Sequence, residues 1–576
     1  MARSNDTVGA QLRELADLMV ITGGDAFRAR AYEKAARAVT GYQTDVSQLD
    51  AKGLQEIPGV GTSVAGKIAE SLRTGTMTAL EELRRRIPAG VRELVAIPAV
   101  GPKRAMMLYR ELDIASVDQL VAAVREGRLR DLPGFGPKTE ERILHGAGLL
   151  KEAAVRVPLD VAMELAEEIT GSLSALPECE RCAYAGSLRR MRDTVGDVDV
   201  LAAARRPGPL MAALATAPYV SEVMVQGPKK TSVRTASGLR VDLRVVPPSA
   251  WGAALLYFTG SKAHNIRVRE LALRQGCTLS EYGLFHTDTG RRAAARTEED
   301  VYARLGLPWI PPTLREDGGE IDAAARGELP ELVTLSDLRG DLHTHTDLTD
   351  GVTSLEEMVR TAAHRGFAYY AVTDHAPDLP MQRMTDDKTL RQRSQVRSLD
   401  GRYGRMRLLH GTELNIGPDG GVDWPASFLA GFDVCVASVH SHFTQDQDAL
   451  TRRLLRACEN PHVHVIGHPT TRILGRRAGL DVDWDAVFEA CARTGTALEI
   501  NSQPRRLDLP DGLARRARRR GVRFAVDSDA HSARALTDLR YGVGVAQRAW
   551  LTGDDVINTW PWDRLSRFLR GPGDGP

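Results

Sequence analysis

The chain has 576 residues, 43% of them hydrophobic and 26% charged, with a formal net charge of +1 at pH 7. That length calls for roughly three to four domains, and no apolar run approaches the ~18–20 residues that cross a bilayer. Near-neutral charge leaves any nucleic-acid binding to local patches. The N-terminal stretch MARSNDTVGAQLRELADLMV lacks the charged, apolar and small-residue order expected of a secretory signal. The six cysteines are sparse, so a reduced cytoplasmic setting is expected, and Cys179-x-x-Cys182 reads as ordinary thiols.

Residues 1–150 read as short amphipathic helices between Gly/Pro turns. Three turns repeat: IPGVGTSVAGKIA from Ile57, IPAVGPKRAMMLY from Ile97 and LPGFGPKTEERIL from Leu132. Each places glycines before a helix carrying Lys or Arg, so free N–H groups at the helix start can meet phosphate oxygens. The repeats resemble the helix-hairpin-helix motif of DNA-repair proteins, which grips the backbone without reading bases. Gly59, Gly61, Gly101, Gly134 and Gly136 are the candidate DNA contacts. The middle copy has Ala99 where glycine is usual.

Residues 156–310 mix strands and helices. In AGSLRRMRDTVGDVDVL, Gly186-Ser187 forms a phosphate-type turn and Asp197-x-Asp199 lies on a predicted strand, where residues two apart share a face. Asp242 in GLRVDLRVV lies on another strand. Three carboxylates of this kind suit Mg²⁺ or Mn²⁺ and nucleotidyl transfer. The stretch from Pro308, PWIPPTLREDGGEIDAAARGELPE, reads as a connector.

The spacing of these motifs, with LYFTGSKAHNIRVRE from Leu256, resembles the bacterial family X DNA polymerases, the DNA polymerase beta-like enzymes, over residues 1 to about 315. The resemblance implies catalytic and metal-binding roles for Asp197, Asp199 and Asp242, with Asp242 helping to deprotonate the primer 3′-hydroxyl. It implies that Gly186, Ser187, Arg190 and Gly196 hold the incoming triphosphate. Tyr257, Phe258 and Gly260 would form the sugar pocket and Asn265 would touch the incoming base. Arg240 and Arg269 would contact DNA. Lys67 stands where some members carry a lyase nucleophile that forms a Schiff base with an abasic-site sugar, with Ser63 and Arg28 at two matching positions. A solvated lysine on a DNA-facing helix is the other reading.

Eleven of the fourteen histidines follow residue 340. Seven apolar runs end at DLHTH, YYAVTDH, LLHGTELNI, FDVCVASVH, HVHVIGH, TALEIN and RFAVDSDAH. Helical patterns between them predict a parallel αβ sheet, closed or nearly so, with functional residues at the strand C-termini. This segment resembles the PHP (polymerase and histidinol phosphatase) family. The resemblance implies a distorted (βα)7 barrel holding up to three Zn²⁺ or Mn²⁺ ions on His343, His345, Asp350, His375, Glu413, His440, His468, Asp529 and His531. His364, His410, His462 and His464 match no ligand position. His442 reads as a ligand-supporting group or a surface residue. Arg472, Arg476 and Arg477 read as phosphate contacts or a solvated face.

The expected architecture is multidomain α+β and α/β. It comprises a helical DNA-binding domain (1–85), a fingers-like helix-hairpin-helix domain (86–155) and a nucleotidyltransferase palm (156–248). A thumb-like domain (249–315), a linker (316–336) and a PHP phosphoesterase barrel (337–576) follow. The expected function is gap-filling DNA polymerisation from deoxynucleoside triphosphates, joined to a 3′→5′ exonuclease or 3′-end phosphoesterase. The expected partner is gapped or primer-template DNA, for a cytoplasmic, nucleoid-associated monomer that binds no membrane. Two other readings are a small-molecule PHP phosphatase and a non-catalytic DNA-binding scaffold.

Overall fold

The computed structural model describes residues 4–570, apart from 23–24, 43, 88, 96, 98–99, 131, 138, 145, 148–155 and 380–383. Ala99 therefore lies outside the described residues. The N-terminal part is helical. Ser4–Ile21 and Ala26–Gly41 pack together, and Asp25, Asp45 and Asp50 cap successive helical starts by accepting backbone N–H groups. Leu12, Leu15, Ile57, Ile68, Leu80, Ile97 and Leu108 join one apolar core.

The second part is built on a five-stranded sheet of order β2-β4-β7-β6-β5. Its strands are β2 (Arg181–Tyr184), β4 (Asp197–Ala203), β5 (Val220–Gln226), β6 (Lys230–Thr235) and β7 (Arg240–Val246). The pair β1 (Val157–Pro158) and β3 (Thr194–Val195) flanks it. Alternation along β4 and β7 decides which residues are free for chemistry. Val198, Val200, Ala202, Val241, Leu243 and Val245 enter the core beneath helices Leu159–Ser174 and Gly208–Ala215. The intervening positions face the other side, where Leu201, Ala203 and Val246 pack on Trp251 and Leu255 of helix Trp251–Thr259. Asp197, Asp199, Arg240 and Asp242 share that second face.

A small unit follows, with helix Lys262–Arg274 and the antiparallel strands β8 (Cys277–Ser280), β9 (Gly283–His286) and β10 (Arg292–Ala294). The stretch expected to be a connector is packed instead. It forms helix Glu320–Arg326, and both Arg315 and Glu320 are fully buried. Arg315 donates to Glu298 at 2.6 and 3.1 Å, and Glu320 accepts from the backbone of Asp317 and Gly318. Its charges are internal ligands for the neighbouring unit, which its Pro/Gly content did not disclose.

The last part is a seven-stranded parallel sheet in chain order: β11 (Gly340–Asp341), β12 (Tyr369–Val372), β13 (Arg407–Asn415), β14 (Val434–Ser438), β15 (Val465–Ile466), β16 (Ala497–Asn501) and β17 (Phe524–Asp527). A parallel bridge between Thr344 and Ala530 nearly closes the barrel. Each expected apolar run contains one strand. Ion pairs join the barrel to the sheet domain, Arg534–Glu164 (2.8 Å), Arg540–Glu167 (2.8 Å) and Arg472–Asp193 (3.2 Å), and to the stretch after the small unit, Arg548–Glu316 (2.9 Å). A Cβ on Gly544 would come within 2.7 Å of Met191, so the two parts pack closely there.

Candidate active sites on the two sheets

In the first site, Asp199 and Asp242 are register partners on parallel β4 and β7, and Asp197 is partnered by Arg240. Arg240 donates to Asp197 and lies 3.8 Å from Asp242. Lys230 Nζ donates to Asp242 Oδ2 at 3.0 Å. Burial and the neighbouring Asp197 and Asp242 push the Asp199 carboxyl up to about 7. Burial would raise Asp242 as well, but Ser232, Lys230 and Arg240 outweigh it and hold the carboxyl below its ordinary value. The aspartates thus concentrate negative charge that two cations only partly offset, and Asp242 Oδ1 is buried with no hydrogen-bond partner among the described residues. Arg240, expected at the DNA, is engaged with these carboxylates.

Gly186 backs this cluster. Its φ is +59°, and a Cβ there would lie 2.3 Å from Asp199 Oδ2. Ser187 follows on the short helix Gly186–Arg189, and Gly196 directly precedes Asp197. Arg190 donates to Glu316 at 2.9 Å and to the Thr259 carbonyl at 2.6 Å, which places it beside the turn at Gly260. Tyr257 and Phe258 meet edge to face at 5.2 Å near the end of helix Trp251–Thr259. Asn265 donates to the Tyr257 carbonyl at 2.7 Å and leaves its Oδ1 buried with no hydrogen-bond partner among the described residues. Arg269 Nε donates to the Asn265 carbonyl at 3.3 Å. The structure therefore brings the Gly186–Arg190, Asp197–Asp242 and Tyr257–Asn265 groups to one side of the sheet.

In the helical part, Gly61 and Gly101 begin helices Thr62–Thr74 and Pro102–Leu112 without a side-chain cap. Gly59 and Gly134 have φ of +84° and +85°. A Cβ at Gly61, Gly101 or Gly136 would meet no atom within 4 Å, so internal packing does not demand glycine there. Lys67 Nζ lies 3.5 Å from Ser63 Oγ and 5.8 Å from the Tyr32 ring centroid. Arg28 pairs with Asp25 at 3.8 Å.

In the second site, all nine expected ligand positions gather at the strand C-termini. Glu413, on β13, is the hub. His375 Nδ1, His440 Nε2 and His468 Nε2 lie 2.9, 3.0 and 2.9 Å from its oxygens, with His343 and His345 at 3.5 Å. Asp529 Oδ1 is 3.2 Å from His345 Nε2 and 3.6 Å from His531 Nδ1. Asp350 is 3.4 Å from His375 and 3.2 Å from His531. Three groups have ligand atoms close enough to share an ion: His345, Asp350, His375 and His531; His343, His345 and Asp529; His375, Glu413 and His440.

Burial alone would raise the three carboxylates. The surrounding imidazoles hold Glu413, Asp350 and Asp529 below the usual carboxylate range, while the acids raise His343, His375 and His531. The donor set fits a metal centre. His375 Nδ1 sits 2.9 Å from Glu413 without the alignment of a hydrogen bond, and His345 Nδ1, His468 Nδ1 and Asp350 Oδ1 are buried with no hydrogen-bond partner among the described residues. Such orphaned polar atoms are costly unless something else binds them.

Several supporting groups were not singled out from the sequence. Glu499, fully buried on β16, lies 2.7 Å from His343 Nδ1 and accepts from the His468 N–H. Asn415 Oδ1 is 2.7 Å from His440 Nδ1, and Asn501 donates to Asp529 at 3.0 Å. These contacts orient ligand rings and carboxylates. A glutamate inside the apolar run TALEIN was the available signal for the first. Arg37 reaches Asp350 at 3.6 Å from the N-terminal helices.

Among the other histidines, His410 stacks on Phe432 and His464 Nδ1 accepts from Cys435, as expected of structural residues. His442 is exposed. Of the three candidate phosphate arginines, Arg472 is occupied by Asp193 and the carbonyls of Arg506 and Leu507. Arg477 donates to the Thr471 carbonyl and covers Phe443.

The fold and the two sites define a chain with a nucleotidyltransferase-type carboxylate sheet, helix-hairpin-helix modules and a PHP metal barrel. Family models agree: helix-hairpin-helix domain over residues 3–77, SAM-like helix-hairpin-helix tandem over 91–148, DNA polymerase beta thumb over 254–316 and PHP domain over 341–503. The DNA polymerase/3′-5′ exonuclease PolX of Bacillus subtilis (strain 168) is 34% identical over 562 residues, covering 97% of this chain and 98% of its own. The chain belongs to the PolX family. DNA polymerase lambda of Rattus norvegicus is 30% identical over 51% of this chain and 53% of its own. A probable phosphatase of Thermoanaerobacter sp. (strain X514) is 29% identical over 38% of this chain and 89% of its own.

Proposed function

We propose that this protein is a DNA-directed DNA polymerase that fills short gaps in repair and also degrades DNA 3′-ends from its PHP barrel. One observation carries the reading: a single chain holds both a complete aspartate cluster, with Asp199 opposite Asp242, and a complete nine-residue histidine–carboxylate set around Glu413. Residues 1–85 and 86–155 hold the DNA backbone, and the open glycine helix starts at Gly61, Gly101 and Gly136 suit close phosphate approach. Residues 156–248 and 249–315 hold the nucleotide, and residues 337–576 carry the second site.

At the polymerase site Asp197, Asp199 and Asp242 would hold Mg²⁺ or Mn²⁺, as their hard oxygens favour. Asp242 accepts the primer hydroxyl proton, while Ser187 and Arg190 orient the triphosphate. At the PHP site the nine ligands would hold Zn²⁺ or Mn²⁺, in up to three positions. Bound metal of either kind polarises phosphate oxygens and makes a nucleophile available near neutral pH. Glu499 and Asn501 fix the tautomer and orientation of His343 and Asp529.

The test is one gapped primer-template assayed in Mg²⁺ and then Mn²⁺. Asp197→Ala is expected to abolish primer extension and leave 3′-end degradation. His343→Ala is expected to do the reverse. Extension by the Asp197→Ala protein would sink the polymerase assignment. The match to a probable phosphatase favours a second reading, in which the barrel acts on small phosphomonoesters. That reading requires turnover of a phosphomonoester by the Asp197→Ala protein and no degradation of DNA.

A further inference from the structure

We propose that Arg506 is the phosphate-binding arginine of the PHP site. It would hold the non-bridging oxygens of the phosphate while the nine ligands hold the metal. The choice of a DNA 3′-terminal phosphodiester as that phosphate rests on the function proposed above. The oxyanion subsite itself does not.

Arg506 lies in the loop after β16, and its backbone is anchored on both sides. Its N–H donates to the Gln503 carbonyl at 2.7 Å, and its carbonyl accepts from Arg472 Nε at 2.8 Å. The next residue, Leu507, has φ of +43° and also gives its carbonyl to Arg472. Arg472 thus holds the loop in place. The Arg506 side chain is only 21% exposed and points its head at the metal cluster, with Nε 3.9 Å from Asp529 Oδ2. Asp529 in turn touches His345 and His531.

The head group is not satisfied there. Nε and Nη1 are both buried, and neither has a hydrogen-bond partner among the described residues. Asp529 Oδ2 already accepts from Asn501 at 3.0 Å, so Arg506 neighbours this carboxylate without bonding it. Its companions behave differently: Arg472 directs its N–H groups to the carbonyls of Arg506 and Leu507, and Arg477 donates to the Thr471 carbonyl of its own loop. A buried guanidinium with open N–H groups carries an unmet cost unless an acceptor arrives.

Electrostatics narrows the acceptor to an anion. Once divalent ions sit on the cluster, the carboxylates are neutralised, and a fixed guanidinium at its edge faces net positive charge. An oxyanion bridging the two removes that repulsion. The forked donors of arginine match the oxygens of a tetrahedral phosphate better than a point charge would. The role of Arg506 is to hold the phosphate and stabilise charge that builds on it.

The experiment uses the full chain in the Asp197→Ala background, loaded with Mn²⁺, with Arg506→Gln and Arg506→Lys as variants. Inorganic phosphate binding is measured by calorimetry, metal per chain by elemental analysis and folding by thermal melting. Arg506→Gln is expected to weaken phosphate binding by about 10- to 100-fold and to slow 3′-end degradation by about 100-fold or more. Metal content is expected to stay unchanged. Arg506→Lys, which keeps the charge but loses the fork, should lie between. Unchanged phosphate affinity in a folded Arg506→Gln protein overturns the proposal. So does a loss of metal in step with the loss of activity, which would make Arg506 a support for Asp529. If phosphate binding depends on Arg506 but the parent protein degrades no DNA, the subsite stands and the nuclease reading falls.

Discussion

Asp199 and Asp242 stand opposite one another on adjacent parallel strands, residue for residue in register. Two carboxylates on one face at that spacing repel each other, and burial with the negative charge of Asp197 and Asp242 pushes the Asp199 carboxyl up to about 7. Gly186 sits against the back of Asp199 and limits where it can go.

Gly186→Ala tests that limit. The new Cβ would fall 2.3 Å from Asp199 Oδ2 at a φ of +59°, so the carboxylate must move. A shift of about 1 Å in such a group can cost roughly 100-fold in rate. Primer extension should drop by about 10- to 100-fold while 3′-end degradation, which belongs to a separate sheet, is unaffected. Steady-state extension assays on the two proteins check it.

Chelation should destabilise the barrel selectively. Glu413 and Asp529 are buried and Asp350 is half-buried, among imidazoles that cannot satisfy every polar atom present. Removing metal is therefore expected to lower the melting temperature of the barrel, and Mn²⁺ or Zn²⁺ to restore it. Glu413→Ala should melt low whether or not metal is added, and should bind less metal by elemental analysis.

The pH dependence of stability should contain a contribution from Glu298. Burial pushes this carboxyl up, but Arg189 and Arg315 outweigh burial and lower it from 4.5 to about 2. A depressed carboxylate stabilises the fold above its unfolded pKa and loses that contribution as pH falls through the folded one. The shift corresponds to about 3 kcal/mol. Glu298→Gln should therefore be destabilised at pH 7 by up to about 3 kcal/mol, with the difference shrinking between pH 4.5 and 2. Denaturant unfolding at several pH values measures it.

Arg548→Met addresses the joint between the two halves. Arg548 donates to Glu316 at 2.9 Å, to Asp511 at 2.6 Å and to the Arg190 carbonyl at 3.1 Å. Both acids are partly exposed, so stranding them should cost about 2–3 kcal/mol, toward the low end for a buried pair. Glu316 would then pair with Arg190 alone, and the KM for nucleotide is expected to rise. Thermal melting and extension kinetics separate the two effects.

Much of this molecule was legible in one dimension. Period-two alternation placed Asp197, Asp199 and Asp242 on strands, and the seven apolar runs became seven strands in order. Strand ends that carry His or Asp converge in a parallel barrel because all strands run the same way, so His343, His375, His440, His468 and Asp529 had to meet. Two kinds of feature escaped. Pro/Gly content made residues 316–336 look like a linker, although Glu316 and Glu320 are internal ion-pair and hydrogen-bond partners. Spacing also said nothing of which loop residues would face the metals.

Local pattern thus settles the elements and their order, because side-chain direction in a strand or helix follows from the backbone repeat alone. Only the tertiary structure decided that Glu499 would hold His343, that Arg190, Glu316 and Arg548 would meet across two domains, and that Arg506 rather than Arg472 would keep a free head at the PHP site. Those contacts join segments far apart in the chain, and the repeat within one segment does not show what a distant segment brings against it.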